Sequence, residues 1–290
     1  MDQKELLKKV RKLEIKSRGL SSQLFSGQYH SAFKGRGMSF SEVREYQPGD
    51  DVRTIDWNVS ARLNHTYVKV YEEERELTIM LVVDVSGSND FGTQVQMKRE
   101  LVTELCAVLS FSAMQNNDKI GVIFFSNQIE KYIPPKKGKS HVLRIIRELI
   151  DFQPQNHKTD ISQALKFLTN VLRKRCTAFI LSDFIATDYE NAMKLANKKH
   201  DVVALRVIDP REQSIPDVGL MKLKDAESGE TIWVDTSDRN VRKAFEIHSK
   251  KMDDQSKLIF SRAGVDAAQL HTDRSYIQPL SNLFKRRGSR

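Results

Sequence analysis

Three oxygen-bearing side chains stand at alternate positions after an apolar run, in the stretch LTIMLVVDVSGSND. They are Asp84, Ser86 and Ser88, and Gly87 permits a tight bend between the two serines. Alternate positions of an extended chain point the same way, so the three oxygens can be aimed at one point. Carboxylate and hydroxyl oxygens suit Mg²⁺, with Mn²⁺ or Ca²⁺ as alternatives. An ordinary alternative is that the Asp or a Ser caps the helix that follows.

Two other stretches supply oxygen ligands of the same kind. HKTDISQALKFL places Thr159 and Asp160 in a loop that opens a helix, and FILSDF places Asp183 at the end of an apolar run. Each residue also has a structural explanation, because Thr159 or Asp160 can serve as a helix N-cap and Asp183 as a polar strand terminus. Together with the first stretch they place five candidate ligands on one rim.

The segments around these residues alternate between buried strands and amphipathic helices. Four short apolar runs are typical of strands covered on both faces: LTIMLVVDVS, KIGVIFFS, CTAFILSD and DVVALRVID. Four longer segments carry apolar residues at helical spacing: VQMKRELVTELCAVLSFSAMQNN, KSHVLRIIRELIDF, DISQALKFLTNVLRKR and DYENAMKLANKKH. The alternation predicts an α/β fold with an open, doubly wound, mostly parallel sheet of Rossmann type. Ligands of such sheets collect outside the carboxyl ends of the strands.

The remaining segments complete two predicted domains. IEKYIPP is expected to form a strand hairpinned onto its predecessor, and MKLKDAESGETIWVD a second hairpin that turns at residues 227–229. A long helix, a last strand in AAQLHT and a closing helix follow. Residues 1–76 differ, with one amphipathic helix and then the alternating segments SFSEVREY and HTYVKVYEEERE. They predict a small N-terminal antiparallel β unit, ahead of the α/β domain at residues 77–290.

Composition limits the function classes. The chain has 290 residues and 39% hydrophobic content, and no apolar run approaches the roughly 20 residues that span a bilayer. Its start is too charged for a secretory signal, so we expect a cytoplasmic protein without a membrane span. Cys106 and Cys176 lie in apolar runs and are expected to be small buried side chains.

The net charge of +9 raises the question of nucleic-acid binding. The basic residues are concentrated near the two ends, in KELLKKVRKLEIKSR and LFKRRGSR, without the interleaved aromatic residues that stack on single strands. A solvated helix face and a charged tail explain this pattern, so we do not expect a nucleic-acid partner.

The candidate ligands resemble the metal-ion-dependent adhesion site of von Willebrand factor type A domains, whose motif is D-x-S-x-S, then a Thr, then an Asp. The matching residues are Asp84, Ser86, Ser88, Thr159 and Asp183. In that site the hydroxyls coordinate the ion directly and the Asp residues act largely through waters. The resemblance implies a docking device, in which an Asp or Glu of a partner protein completes the metal shell.

The chain as a whole is similar to the prokaryotic family called domain of unknown function 58. The resemblance is carried by GRGMSFSEVREYQPGDDVRTIDWNVSARLNHTYVKVYEEERE, followed by PPKKG, LSDF, HDVVALRVIDPRE and GLMKLKDAESGE. The family implies a von Willebrand A-like domain after the β region. It also implies a functional link to a MoxR-type AAA+ ATPase, in the assembly or maturation of other proteins.

Two other functions compete with a non-enzymatic adaptor. A metal-dependent hydrolase of the aspartyl-phosphate type needs D-x-D, and here Ser86 takes the place of the second carboxylate. A serine hydrolase needs G-x-S-x-G, which D-V-S-G-S does not supply. We therefore expect no catalytic residues, with a phosphatase-like hydrolase as the alternative and a basic nucleic-acid binder as the third interpretation.

Overall fold

The computed structural model describes residues 10, 11, 13, 14, 16, 17, 19, 37–74, 76–92, 96–186, 188–224 and 229–288. Contacts divide the chain into a smaller unit, Lys34–Leu77, and a larger unit made of the rest. The described residues between 10 and 19 are helical and group with the larger unit. The smaller unit thus ends one residue after the predicted boundary at residue 76, and it begins after the predicted N-terminal helix.

The smaller unit is built on an antiparallel strand pair, as the alternating segments predicted. Strand β1 (Gly37–Glu45) pairs with β2 (Tyr67–Glu74), with a register shift between Phe40 and Glu42. Helix α1 (Trp57–Leu63) lies between them in sequence, and its N-cap residue is Asp56, whose side chain accepts hydrogen bonds from the first turn. That cap satisfies backbone donors that otherwise lack partners.

The larger unit contains a six-stranded sheet in the order β10-β7-β6-β3-β4-β5. Every neighbouring pair is parallel except β5 with β4, which form the predicted hairpin. The strands are β3 (Thr78–Asp84), β4 (Lys119–Phe125), β5 (Ile129–Lys136), β6 (Thr177–Ser182), β7 (Asp201–Ile208) and β10 (Asp266–His271). The second predicted hairpin forms a separate sheet from β8 (Leu220–Lys224) and β9 (Thr231–Asp235); the first two residues of its predicted turn, 227 and 228, lie outside the described residues.

Helices connect or follow these strands, and all of them except the four-residue helix Pro210–Gln213 lie in segments that were predicted to be helical. They are α2 (Lys98–Gln115), α3 (Lys139–Asp151), α4 (Ile161–Val171), α5 (Glu190–Lys199), α6 (Pro210–Gln213), α7 (Arg239–Ala263) and α8 (Ile277–Gly288). Among the described residues no helix combines the length and apolarity needed to cross a bilayer. The two cysteines are free and buried, as predicted.

Helices pack on both faces of the sheet, which explains why its four central strands are apolar without alternation. Ala178 and Ile180 of β6 belong to one core cluster with Leu165 of α4. Phe179 lies between them in sequence, and its ring stacks edge-on against Phe284 of α8 with 6.5 Å between centroids. Consecutive side chains of a strand point to opposite faces, so both faces of β6 are covered. The predicted doubly wound, mostly parallel α/β fold is confirmed.

Candidate metal centre

Two neighbouring strands bring the candidate acids to one edge of the sheet. β3 and β6 are parallel, with Val83 opposite Leu181. Asp84 is the last residue of β3 and Asp183 directly follows β6, so both stand at the carboxyl end of their strand. Both are buried, with relative exposures of 1% and 3%. The sheet topology therefore joins residues that are far apart in sequence.

The turn after β3 is organised around the Asp84 carboxylate. Its Oδ1 accepts a 2.9 Å hydrogen bond from the Ser86 backbone N–H, and its Oδ2 accepts a 2.7 Å bond from the Ser182 hydroxyl. The Ser86 hydroxyl also bonds to this carboxylate. Ser86 precedes a short 3-10 turn, Gly87–Asp90, but its side chain makes no capping bond there. The serine therefore turns its hydroxyl to the acid and not to the helix end.

Ser88 closes the link between the two acids. Its Oγ lies 3.1 Å from Ser86 Oγ, and its side chain hydrogen-bonds to Asp183. Asp84, Ser86, Ser88 and Asp183 thus form one connected set of oxygen atoms, which we call the oxygen cluster. Serine, aspartate and carbonyl oxygens are the donors that hard divalent cations take in proteins.

Thr159 lies in the loop that passes beside this cluster. The loop is fixed by backbone bonds, since Gly87 N–H donates to His157 O at 3.0 Å and Asp160 N–H donates to Ser126 O at 2.9 Å. Asp160 is the N-cap of α4 and accepts from Gln163 N–H. Thr159 itself is half-buried, and no hydrogen bond within the described ranges joins its hydroxyl to the other four candidates. The backbone of the loop is therefore bonded to the turn that carries Ser86 and Ser88.

The backbone around Asp183 is held from several sides. Asp183 Oδ1 accepts from Ile185 N–H at 3.1 Å, and its carbonyl accepts from Arg206 Nε at 2.9 Å. Phe184 has a left-handed conformation, with φ of 56°, which is costly for a bulky residue. Its buried ring stacks edge-on against Phe260 with centroids 4.8 Å apart. This packing stabilises the sharp turn that places the acid at the rim.

A lysine that the sequence did not indicate is bonded to the cluster through Asp183. Lys98 Nζ donates to Asp183 Oδ2 at 2.9 Å and to Glu212 Oε1 at 2.6 Å, and the lysine is fully buried. Glu212 belongs to α6, which follows β7 at the same sheet edge, and its other oxygen accepts from Asp209 N–H. The cluster therefore extends through one cation to a third acid.

The sequence indicated one residue next to Glu212, namely Asp209. Asp209 follows β7 as Asp183 follows β6, so the argument from strand ends also applied to the stretch VIDPRE. Lys98 had no such signal, because a lysine beside other charged residues in MKRE reads as a solvated helix start. Its partners are 85 and 114 positions away in sequence.

The electrostatic balance differs between the two aspartates. Burial and the nearby Asp183 charge raise the pKa of Asp84 to about 6, although bonds from Ser86 and Ser182 act in the opposite direction. Burial also raises the pKa of Asp183, but the Lys98 ammonium, aided by bonds from Ile185 and Ser88, outweighs it and holds that pKa below its ordinary value. Asp183 is thus ionised at neutral pH, and Asp84 becomes fully ionised only above neutrality.

The charges of Lys98 and Glu212 are also set by this environment. Burial lowers the pKa of Lys98, but Asp183 and Glu212 outweigh burial and raise it overall. Burial raises the pKa of Glu212 despite the attraction of Lys98. The lysine is therefore a permanent buried cation.

The donor set of the oxygen cluster fits a hard divalent cation. It offers two carboxylates and two hydroxyls, and each carboxylate oxygen keeps lone pairs beyond the hydrogen bonds it accepts. The described part of the chain contains no group of three or more His, Cys, Asp or Glu side chains arranged to hold a metal. Any ion at this edge would therefore depend on the serine hydroxyls, which are weaker ligands than carboxylates.

Sequence comparison relates the chain to proteins without an assigned role. It is 33% identical over 232 residues to an uncharacterized protein of Mycobacterium tuberculosis, a match that covers 79% of this chain and 73% of that protein. The uncharacterized protein YeaD of Bacillus subtilis is 27% identical over 131 residues, which is 45% of this chain and 29% of that protein.

Structural comparison finds two solved proteins that are similar to this chain. The structure of an aerotolerance-related membrane protein from Bacteroides fragilis matches with a TM-score of 0.50 at 16% identity, covering 72% of this chain and 99% of that one. BatB from Bacteroides thetaiotaomicron gives a TM-score of 0.49 at 17% identity, with coverages of 74% and 100%. At 16% identity the first likeness concerns the fold alone. The family model described as protein of unknown function DUF58 matches residues 42–255, most of the chain, and the chain therefore belongs to that family.

Proposed function

We propose that this protein is a non-enzymatic docking adaptor that binds a partner protein through a divalent cation, with Mg²⁺ as the expected ion. The observation that carries the proposal is the oxygen cluster, in which Asp84, Ser86, Ser88 and Asp183 are connected at one edge of the sheet. These residues, with Thr159 from the adjacent loop, would hold the ion. A bound cation would supply a positive centre for a carboxylate of the partner.

The charge of the cluster supports docking of an acidic group. Two carboxylates balance one divalent cation, so an incoming Asp or Glu meets no net repulsion from the site. The two hydroxyls add ligand oxygens without adding negative charge. The loops after β3 and β6 are anchored by hydrogen bonds to neighbouring elements, so the cluster is held in place before a partner arrives.

The partner proposed from family resemblance is a MoxR-type AAA+ ATPase or a protein on which that ATPase acts. The chain would present clients to the ATPase, or recruit it, during assembly or maturation of other proteins. This part of the proposal is separable from the cation site, because the cluster specifies only that the partner presents a carboxylate.

A metal-dependent hydrolase is the alternative that one feature favours, since a lysine beside two aspartates also occurs where phosphoryl groups are transferred. Lys98, however, is fully buried and held by Asp183 and Glu212, so its ammonium is not exposed to a phosphate. The basic segment LFKRRGSR gives little support to nucleic-acid binding. Its Arg287 is paired with Asp201 and Asp266, so the charge of this arginine is already compensated within the fold.

Cation titration tests the first step of the proposal. Isothermal calorimetry with Mn²⁺ or Mg²⁺ on the full chain at pH 8 should give one site. A variant with Ser86→Ala and Ser88→Ala should lose that binding while its circular dichroism spectrum is unchanged. The matched control carries Ser249→Ala and Ser261→Ala on helix α7, and it should bind as the wild type does. Equal binding by both double variants would place the ion elsewhere.

Partner capture tests the second step. Immobilised wild-type protein should recover an acidic-surface partner from the native lysate in Mg²⁺ and lose it in EDTA, and the Ser86→Ala, Ser88→Ala variant should fail in both. A MoxR-type ATPase or its client should be identified by mass spectrometry. Recovery that is independent of EDTA would contradict metal-mediated docking. Hydrolysis of phosphate esters that disappears in Asp84→Ala would instead favour the hydrolase.

A further inference from the structure

We propose that Lys98 and Glu212 form a charge-setting pair for the cation site, in which Lys98 weakens cation binding at the oxygen cluster and Glu212 strengthens it. The inference rests on the proposed function, because it concerns the affinity of the same site. It assigns a role to two residues that lie outside the family motif and that do not supply candidate ligands.

Geometry connects the pair directly to the cluster. Lys98 Nζ lies 2.9 Å from Asp183 Oδ2 and 2.6 Å from Glu212 Oε1, so one ammonium bridges a candidate ligand and a third acid. The other oxygen of each acid is fixed by a backbone N–H, from Ile185 for Asp183 and from Asp209 for Glu212. The bridge is therefore held at both ends.

Burial makes the charges of the pair effective. The Lys98 side chain has no solvent exposure, and the side chains of Asp183 and Glu212 are 4% and 20% exposed. Charges in such a position interact through a medium of much lower dielectric constant than water and are screened weakly by salt. A cation bound at Asp183 would therefore be repelled by the ammonium of Lys98 and attracted by the carboxylate of Glu212.

Asp84, Asp183, Glu212 and Lys98 together carry a net charge that matches one divalent ion. Asp84, Asp183 and Glu212 provide three negative charges, and Lys98 neutralises one of them. Arg206 also donates to the Asp183 backbone carbonyl, and its guanidinium is paired with Asp253, which compensates its charge. Arg99 lines the same cavity as Asp84 and is left unchanged in every variant. Two excess negative charges remain for the ion. Removal of Lys98 alone leaves three, and removal of Glu212 alone leaves one.

A purely structural ion pair makes a different prediction from a charge-setting pair. If the pair only held α2 and α6 at the sheet edge, loss of either partner would disturb Asp183 and weaken cation binding in both variants. If its charge sets the affinity, the two single variants shift the affinity in opposite directions. The sign of the two shifts separates these roles.

The experiment is a charge cycle measured by calorimetric titration of Mn²⁺ alone into the full chain at pH 8. Lys98→Met should bind at least tenfold more tightly, and Glu212→Gln at least tenfold more weakly, because one unit charge about 6 Å from a divalent ion changes its binding by roughly that factor even at the dielectric constant of water. The double variant, which restores two excess negative charges, should lie within about threefold of wild type, because the two effects cancel. Glu246→Gln, on an exposed part of α7, should leave the affinity unchanged.

The outcomes distinguish the two proposals. Weaker binding in both single variants, or no shift in either, would overturn the charge-setting role while leaving the cation site intact. No binding by the wild type would overturn the proposed function, and the charge-setting role with it. Should Lys98→Met fail to fold, Glu212→Gln still tests the sign of the affinity change, because this partly exposed side chain can be neutralised without loss of volume. Tighter or unchanged cation binding by Glu212→Gln would refute the inference.

Discussion

Ser182 donates a 2.7 Å hydrogen bond to Asp84 Oδ2, and this bond ties the end of β6 to the end of β3 across 98 positions of sequence. The Ser182 hydroxyl also accepts from Phe184 N–H at 3.0 Å. One hydroxyl therefore orients the acid of one strand and the turn that carries the acid of the next. Both contacts are buried, so they are not exchanged freely with water.

Ser182→Ala should raise the Asp84 pKa above about 6, because the lost bond stabilises the ionised carboxylate. The pH at which Mn²⁺ binding reaches half its maximum affinity should move upward by about one unit, as the loss of a hydrogen bond worth ~1.5 kcal/mol implies. Calorimetric titrations from pH 5 to 8 measure the shift. The control Ser261→Ala should keep the wild-type midpoint, and an unchanged midpoint in Ser182→Ala would show that the bond does not influence ionisation.

Asp84 should make the protein less stable as the pH rises from about 4 to about 6. Its pKa is about 6 in the folded protein and 3.8 ordinarily, so across this interval the folded state holds a proton that the unfolded state has released. Integrated over the shift, the loss is about 3 kcal/mol of unfolding free energy. Urea unfolding in EDTA should show the loss in wild type and not in Asp84→Asn. Asp254→Asn, an exposed acid on α7, should retain it.

His200 should act in the opposite direction over a similar interval. Burial, with the charges of Lys199 and Arg175, lowers its pKa from 6.5 to about 4. As the pH falls below 6.5 the unfolded chain takes up a proton that the folded protein refuses, so stability is lost on acidification. His200→Gln should remove this loss and make the decline caused by Asp84 more visible in urea unfolding between pH 4 and 6.5. If His200→Gln kept the wild-type dependence of unfolding free energy on pH, protonation of the His200 imidazole would not contribute to the loss of stability in acid.

Gly121 in β4 should not tolerate even a methyl group. A Cβ at this position would lie 2.7 Å from Ile133 O, 2.8 Å from Pro135 N and 2.8 Å from Met80 Sδ. Two of these atoms belong to the backbone of β5, which cannot move without loss of the hairpin. Gly121→Ala should lower the unfolding free energy by about 1–3 kcal/mol in urea unfolding. Gly19→Ala, where a methyl meets no atom within 4 Å, should be neutral or stabilising, and equal effects would contradict the steric argument.

Much of the fold could be predicted because the four central strands of the main sheet are almost continuous apolar runs. The runs around Val82 and Ile180 identify buried strands. The segments between the strands have helical periodicity, and strands that are connected through helices lie parallel in the sheet. Strand order was less accessible, because the sheet places β3 between β4 and β6 through contacts that no local pattern encodes.

The candidate site was predictable to the extent that it follows strand ends. Asp84 and Asp183 were found because parallel strands deliver their carboxyl ends to one edge. Lys98, Ser182 and Glu212 were missed, since a buried charge is recognised by its partners and these partners are distant in sequence. The groups that a loop side chain such as Thr159 can reach are likewise set by tertiary packing.

The spacing of the Lys98 contacts also determines when this site can exist during synthesis. Lys98 leaves the ribosome first, and its two acidic partners are translated 85 and 114 residues later. A nascent or truncated chain that ends before Glu212 therefore carries the Asp84 turn without its full set of charges. Under the proposed function, the complete set of charges around the cation would exist only in a chain that has been translated through α6.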